Sequence, residues 1–245
     1  MFRVIFVMDL FDRSVVHAKG GNRGEYRPVS ESSTVCSSSD PVEIVKGLKP
    51  AEVYIADLNV LQGSGPGDTN TDLIRKVSEE TSTLLDFGVS GAKDVERALS
   101  LATTVVIGTE TGTLEGIREA AFEHPGRLCV SLDLKHGKLL KKDPEIPADP
   151  FKIVALLNEL PLKDLIFLDL DRVGTSTGFD PEFLEKLAKA SKHGLLLGGG
   201  VRSSEDLLIL EKLGLKGALV ATAIHSGSIP PAVLRKSPRQ DLKKA

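Results

Sequence analysis

Two aspartates occupy corresponding points in the two halves of the sequence and could share acid–base work. Asp9 ends an apolar run at the N-terminus, and Asp133 ends a similar run about halfway along the chain. Two carboxylates facing across a pocket can act as general base and general acid when their surroundings separate their pKa values. Each could instead cap a loop or pair with a lysine such as Lys19 or Lys135. Their relation by internal symmetry favours the catalytic interpretation.

Glycine-rich turns form a second group of candidates, for binding phosphate. Gly198-Gly199-Gly200-Val201 follows an apolar run and precedes a helix start at Ser203, where free amides attract anions. Gly199 and Gly200, with Ala221 and Thr222 after the next run, are therefore predicted to hold one phosphate. Gly88, Gly108 and Thr109 have the same arrangement in the first half and predict a second phosphate site. Tight turns without a ligand are the alternative.

Further polar side chains follow the later apolar runs. Asp57 and Asp171 are predicted to contact the substrate, although Asp57 could equally accept hydrogen bonds from loop amides. Thr175 is grouped with the catalytic residues as a hydrogen-bonding partner of the ligand. His17 and His136 lie in long loops, where a histidine is usually solvated. Since no His, Cys and Asp residues have the spacing of metal ligands, we expect neither a metal nor another cofactor.

The elements that must position these residues are short apolar runs separated by amphipathic stretches of helical period. Continuous apolar character is typical of parallel strands buried on both faces, and eight strands alternating with helices predict an α/β fold. The expected strands are Arg3–Met8, Glu52–Ala56, Leu84–Phe87, Thr104–Ile107, Leu128–Leu132, Leu165–Leu168, Leu195–Leu197 and Ala218–Val220. Asp40-Pro41 and Asp180-Pro181 predict helix starts, and Ser203–Asp206 has capping-box spacing.

The two halves of the chain resemble each other. Gly88 and Asp94 recur at one constant offset as Gly200 and Asp206, and Asp57 recurs as Asp169 at that same offset. An open doubly wound sheet has no need for such a repeat. We therefore predict a (βα)8 TIM barrel of eight parallel strands built from two pseudo-symmetric half-barrels.

Composition limits the class of protein. The 245 residues are 41% hydrophobic and carry a net charge of −3, which gives no reason to expect a nucleic-acid surface. The N-terminal apolar run is too short to span a membrane, and a cytoplasmic protein is expected. Residues 1–235 are predicted to form the single barrel, and residues 236–245 a flexible polar tail.

Taken in order, these motifs resemble the barrel enzymes of histidine biosynthesis, above all the ProFAR isomerase family. The similarity extends from Val4 to about Gly227. The matching stretches are Val7–Leu10, Ile55–Leu58, Val106–Thr109, Val130–Asp133, Asp171–Asp180 and Gly199–Leu207. The resemblance implies an Amadori rearrangement of an aminoaldose to an aminoketose, with Asp9 as general base and Asp133 as the opposing carboxylate. It also implies a phosphorylated small-molecule substrate, with one phosphate in each glycine-rich turn.

The chain departs from that family at informative positions. Val173 stands where the sixth-strand motif usually has an aspartate, and Phe87 and Ser90 replace a glycine and an arginine of the third-strand motif. The first loop resembles a divergent branch of isomerase-like barrels associated with one-carbon cofactor biosynthesis. Three hypotheses remain open: a ProFAR-type isomerase, a paralogue acting on another phosphorylated intermediate of methanofuran or pterin assembly, and a non-catalytic phosphometabolite-binding protein.

Overall fold

The eight apolar runs form the parallel strands of one closed barrel, as predicted. The computed structural model describes residues 1–17, 26–64, 66–175 and 177–235, so Lys19 and the predicted tail lie outside the described residues. Each strand pairs with the next, and β8 pairs with β1 to complete the ring. The strands are β1 (Arg3–Phe11), β2 (Glu52–Asp57), β3 (Ser82–Asp86), β4 (Thr104–Gly108), β5 (Leu128–Lys135), β6 (Asp164–Asp169), β7 (Gly194–Gly198) and β8 (Gly217–Val220).

Helices connect the strands and cover the outside of the barrel. Asp40 and Asp180 cap helices as predicted, each accepting hydrogen bonds from backbone amides of the first turn. The capping box predicted at Ser203 is half formed: the Ser203 side chain makes no capping bond, whereas the Asp206 carboxylate accepts from the Ser203 amide and also from the Arg202 amide and guanidinium. The helices are α1 (Pro41–Leu48), α2 (Leu58–Gln62), α3 (Thr71–Glu80), α4 (Ala92–Leu99), α5 (Leu114–Glu123), α6 (Pro150–Leu157), α7 (Pro181–Ala190), α8 (Ser204–Lys212) and α9 (Thr222–His225).

Side-chain alternation along the strands divides the apolar residues into two layers. One layer packs between strands and helices, and the other fills the barrel interior. The interior layer includes Ile5, Tyr54, Leu84, Val106, Cys129, Ile166, Leu196 and Leu219. The barrel interior is therefore a packed core and not a channel. Among the described residues, no helix combines the length and apolar character that crossing a bilayer requires.

Both long connections contain short antiparallel strands that extend the barrel rim. Ser14–His17 folds back on β1, with Val16 opposite Asp9, and Arg27–Pro28 adds to its far side. Lys138–Leu139 folds back on the end of β5 in the same way. These pairings hold β1 and β5 in strand conformation beyond the rim, which is where Asp9 and Asp133 lie.

Partly buried ion pairs lie at the opposite end of the barrel. The Arg3 guanidinium lies 2.6 Å from the Asp164 carboxylate and 3.2 Å from Glu52. The Lys163 ammonium lies 3.3 Å from the same Glu52 carboxylate. Because each of these charges has a partner of opposite sign, they can be removed from water at this end.

We expect that Leu196→Ala lowers the free energy of unfolding by about 2–5 kcal/mol, because Leu196 is fully buried in the barrel interior and its truncation leaves a cavity. Urea unfolding followed by circular dichroism measures this. The matched control is Ile209→Ala on α8, where the side chain is 39% exposed and the loss should be below about 1 kcal/mol. Equal losses for the two variants would contradict a packed interior.

Candidate active site

A cavity of about 290 Å³ opens where the strands end at their carboxyl sides. This is the rim at which barrel enzymes place their chemistry. Apolar wall residues come from the strand ends and the first connection, including Val7, Val16, Leu61, Leu168 and Val173. The polar side chains on the wall are Asp9, His17, Tyr26, Tyr54, Asp86, Glu110, Lys135, Arg172, Thr222 and His225.

Asp9 reaches the cavity because β1 alternates its side chains between the two layers. Ile5 belongs to the barrel interior, Val7 packs against it, and Asp9 is the next residue on that face. The side chain is half-buried on the cavity wall, as a general base requires. The structure thus places Asp9 where the sequence predicted it.

Asp133 lies on the inward face of β5, two residues beyond Ser131, and only 5% of it is exposed. Burial raises the pKa of Asp133 to about 7, the Ser131 hydrogen bond lowers it, and the charges of Asp86 and Glu110 raise it. The Ser131 hydroxyl donates to the carboxylate at 2.5 Å. Asp133 is not on the cavity wall itself. It therefore forms a buried carboxyl that exchanges its proton near neutral pH.

Tyr54 and Asp86, which the sequence analysis did not select, connect the two predicted aspartates. The Tyr54 hydroxyl donates to the Asp86 carboxylate at 2.9 Å. Burial raises the pKa of Tyr54 well above its usual value, and the charges of Asp86, Asp133 and Asp9 raise it further. The carboxylates of Asp9, Asp86 and Asp133, from β1, β3 and β5, therefore all lie close enough to the Tyr54 hydroxyl to raise its pKa. One feature of the sequence could have identified Asp86: it stands at the position that Gly198 occupies in the other half of the chain.

The glycine turn after β7 lies on the cavity wall, as predicted for a phosphate site. Gly199 and Gly200 have φ angles of +89° and +85°, and a Cβ on Gly199 would lie 2.6 Å from the Asp169 carbonyl oxygen. Ala221 and Thr222 lie on the same wall. In the described part of the chain, the amides of Gly199, Val201 and Thr222 have no hydrogen-bond acceptor, whereas the Gly200 amide donates to the Arg172 carbonyl.

The predicted phosphate residues of the first half lie away from the cavity wall. A Cβ on Gly88 would face Leu61 at 3.5 Å. Thr109 is fully buried, and its hydroxyl donates to the Leu140 carbonyl at 2.7 Å. Gly108 is also buried, and a Cβ there would lie 2.9 Å from the Asp133 carboxylate. Phosphate binding by these residues stays a prediction that no contact tests.

The remaining predicted residues have structural contacts. Asp57 is buried and caps α2, accepting from the Asn59 and Val60 amides, as its structural alternative anticipated. Asp171 is exposed and accepts from the His136 amide. The Thr175 hydroxyl donates to the Arg172 carbonyl at 2.9 Å. Asp57, Asp171 and Thr175 are absent from the described cavity wall, so their roles toward a substrate stay predictions.

Of the two loop histidines, His136 is solvated as expected and His17 is not. His17 is half-buried on the cavity wall, whereas His136 is exposed beside Asp171. His225 also lies on the wall, with its Nδ1 2.9 Å from the Ser33 hydroxyl, and burial lowers the pKa of His225 to about 4. It is therefore neutral at physiological pH. Among the described residues, no group of three His, Cys, Asp or Glu side chains is arranged to hold a metal ion.

The chain is similar over most of its length to known proteins. A family model described as "Histidine biosynthesis protein" matches residues 3–230. An uncharacterized protein of Methanocaldococcus jannaschii is 33% identical over 232 residues, covering 92% of this chain and 94% of the relative. An isomerase of Thermus thermophilus, named for a bis-phosphoribosyl imidazole-4-carboxamide, is 30% identical over 202 residues, covering 78% and 84%. The isomerase of that name from Halothermothrix orenii is 26% identical over 247 residues, covering 96% and 99%.

We expect Asp133→Asn to change how stability depends on pH. In the folded chain the pKa of Asp133, about 7, lies above its ordinary value of 3.8, so this group favours folding below about pH 4 and that contribution is lost as pH rises through 7. The neutral amide cannot ionise. The variant should therefore gain up to about 4 kcal/mol relative to the wild type between pH 4 and 8, measured by urea unfolding.

Ser131→Ala provides a second measurement of the same carboxyl. The Ser131 hydrogen bond lowers the pKa of Asp133, so its removal should move the wild-type stability loss to higher pH. A stability profile that is identical in the wild type, Ser131→Ala and Asp133→Asn would show that Asp133 does not titrate in this range.

Proposed function

The chain belongs to the histidine biosynthesis protein family, and from that premise we propose that it is an isomerase that converts a phosphorylated aldose-type substrate into a ketose. The observation that carries this proposal is that Asp9 and the Gly199–Gly200 turn lie on one cavity wall. A substrate phosphate held at the turn would fix the sugar relative to the carboxylate. Such fixed geometry supplies a large part of enzymatic rate enhancement.

The phosphate end of this proposal rests on backbone amides. Gly199 and Val201 after β7, and Thr222 after β8, have amides without an acceptor in the described structure. Amides of this kind, in glycine-rich turns near helix starts, stabilise phosphate oxygens without a side-chain charge. The Arg172 guanidinium on the same wall adds positive charge, although it is already bonded to Asp169.

The acid–base end of the proposal rests on Asp9 and Asp133. The ring C1–O bond of the aminoaldose breaks as a proton is added to the ring oxygen, and the lone pair of the amino nitrogen forms a C1=N double bond. Asp9 removes the C2 proton, which gives an enaminol. The C2 hydroxyl then loses its proton as a proton is added to C1, so the product carries a ketone at C2 and the reaction needs no redox partner. The assistance of Asp133 to ring opening is indirect, because this carboxyl, with a pKa of about 7, lies behind the cavity wall and its charge acts on Tyr54, which is on the wall.

Val173 on the cavity wall favours a substrate that differs from the bis-phosphoribosyl compound in the names of the related isomerases. Its side chain lies on the cavity wall at the position where the resemblance implies an aspartate. A valine cannot transfer a proton, so the acid–base work must be distributed differently here. This supports the second candidate, a paralogue acting on another phosphorylated intermediate, such as one of one-carbon cofactor assembly.

We expect Asp9→Asn to reduce isomerisation by about 10²–10⁴-fold, because the amide cannot accept the C2 proton. The purified protein would be incubated with ProFAR. In parallel it would be incubated with the N-phenyl glycosylamine that forms when aniline condenses with ribose 5-phosphate. Product formation would be followed by mass spectrometry and by exchange of the C2 hydrogen with deuterated water.

Asp12→Asn is the matched control, because Asp12 comes directly after β1, lies outside the cavity wall and accepts a hydrogen bond from the side-chain amide of Asn59. It should retain wild-type turnover. If neither compound is rearranged while inorganic phosphate still binds, the isomerase proposal fails and a non-catalytic binding protein is supported.

A further inference from the structure

The two pseudo-symmetric turns share one framework. After β7, the Asp206 carboxylate accepts from the Arg202 amide at 2.8 Å. After β3, the Asp94 carboxylate accepts from the Ser90 amide at 3.0 Å. The central glycine of each turn, Gly88 or Gly200, has a positive φ. The backbone that forms a phosphate turn is therefore present in both halves, and the halves differ in side chains.

The differences fall on the residues that would contact a phosphate. Asp86 and Phe87 stand where the other half has Gly198 and Gly199. The Asp86 carboxylate lies on the cavity wall and accepts hydrogen bonds from the Tyr54 hydroxyl at 2.9 Å and from the Gly88 amide at 3.4 Å. The central glycine amide of each turn therefore has an acceptor within the chain, but this is the Asp86 carboxylate in the first half and the uncharged Arg172 carbonyl in the second. A phosphate approaching Gly88 would meet a negative charge.

The neighbouring turn in the first half is also closed. The Thr109 amide donates to the Ser131 carbonyl at 2.9 Å, and the Thr109 hydroxyl donates to the Leu140 carbonyl. The amide of Leu114, at the start of α5, donates to the Asp143 carboxylate at 2.8 Å. In contrast, Ala221, which corresponds to Thr109 at the offset that relates the two halves, has an amide with no acceptor in the described residues, and so does the next residue, Thr222.

The charges on the cavity wall follow the same division. Asp86 at the end of β3 and Glu110 just after β4 lie on the first-half side, and the Tyr54 hydroxyl donates to Asp86. The amides of Gly199 and Thr222 follow β7 and β8, across the ring from β3 and β4, whereas Asp9 on β1 lies beside β8. Acceptors at one end and donors at the other suit a ligand whose two ends differ.

We propose that the substrate carries a single phosphate, bound at the Gly199 and Thr222 turns, and presents hydroxyl or amino hydrogens to Asp86 at the other end. This inference rests on the proposed function only in taking the second-half turns as the phosphate site. It separates the substrate from the bis-phosphoribosyl compound in the names of the related isomerases. Asp86 becomes a residue that determines specificity by rejecting a second phosphate.

The test compares two probes, ribose 5-phosphate and ribulose 1,5-bisphosphate, by isothermal titration calorimetry. The wild type should bind the bisphosphate no more tightly than the monophosphate. Asp86→Asn keeps the volume and removes the charge, so it should raise the affinity for the bisphosphate relative to the monophosphate by about tenfold. Asp86→Gly, which restores the glycine of the other half, should give at least the same gain.

Asp94→Asn is the matched control, because it removes an equal charge from an exposed aspartate in the same turn and retains an oxygen for the Ser90 amide. Its ratio of affinities should equal that of the wild type. A wild-type preference of tenfold or more for the bisphosphate, or phosphate density beside Gly88 in crystals soaked in inorganic phosphate, would overturn the inference and leave the isomerase proposal intact. Failure of both probes to bind would overturn the phosphate site and thus both proposals.

Discussion

The burial of carboxyl groups at the mouth of the barrel is the constraint on which the site depends. Burial raises the pKa of the Tyr54 hydroxyl, and the charges of Asp86, Asp133 and Asp9 raise it further. Burial is also the main reason that the pKa of Asp133 is raised to about 7, because removal from water disfavours the charged form of a carboxyl; the charges of Asp86 and Glu110 raise that pKa further. A carboxyl that gains and loses its proton near neutral pH, close to a cavity, suits acid–base catalysis.

The strands and helices could be predicted because each is specified locally. Continuous β-branched runs predicted parallel strands, and Asp-Pro pairs at 40–41 and 180–181 predicted helix starts that the structure confirms. Asp9 and the Gly199–Gly200 turn could be placed on one rim because parallel strands in a barrel end on the same side. The periodic pattern of the sequence thus predicted the barrel and the end of the barrel at which the cavity opens.

Contacts that depend on barrel closure could not be predicted in the same way. Tyr54 looked like one more apolar strand residue, and its hydrogen bond to Asp86 exists only because β2 and β3 are neighbours. Thr109 had the residue type of a phosphate ligand, but the connection after β5 folds over it. Ser203 and Asp206 had capping-box spacing, yet only the Asp206 half of the box forms, and this carboxylate is shared with the Arg202 guanidinium. For Tyr54 and Thr109, a tertiary partner decided between two locally acceptable roles.

The two half-barrels show how one backbone can serve two purposes. In both halves an aspartate in the first turn of a helix, Asp94 in α4 or Asp206 in α8, accepts a hydrogen bond from the amide of the preceding turn. The two turns therefore keep their shape while their side chains differ. An enzyme assembled from two equivalent halves can bind a two-ended ligand symmetrically, and changing two residues of one turn ends that symmetry. Specificity can therefore change while the scaffold is preserved.

The pairing that closes the ring also sets the order of assembly during synthesis. β1 is made first, but its partner along Arg3–Phe6 is Gly217–Val220, near the other end of the chain. Until the ribosome has released that last strand, one edge of β1 has unpaired amides and carbonyls that could bind other strands. One edge of β1 therefore stays open until all eight strands have been made, and the ring can close only then.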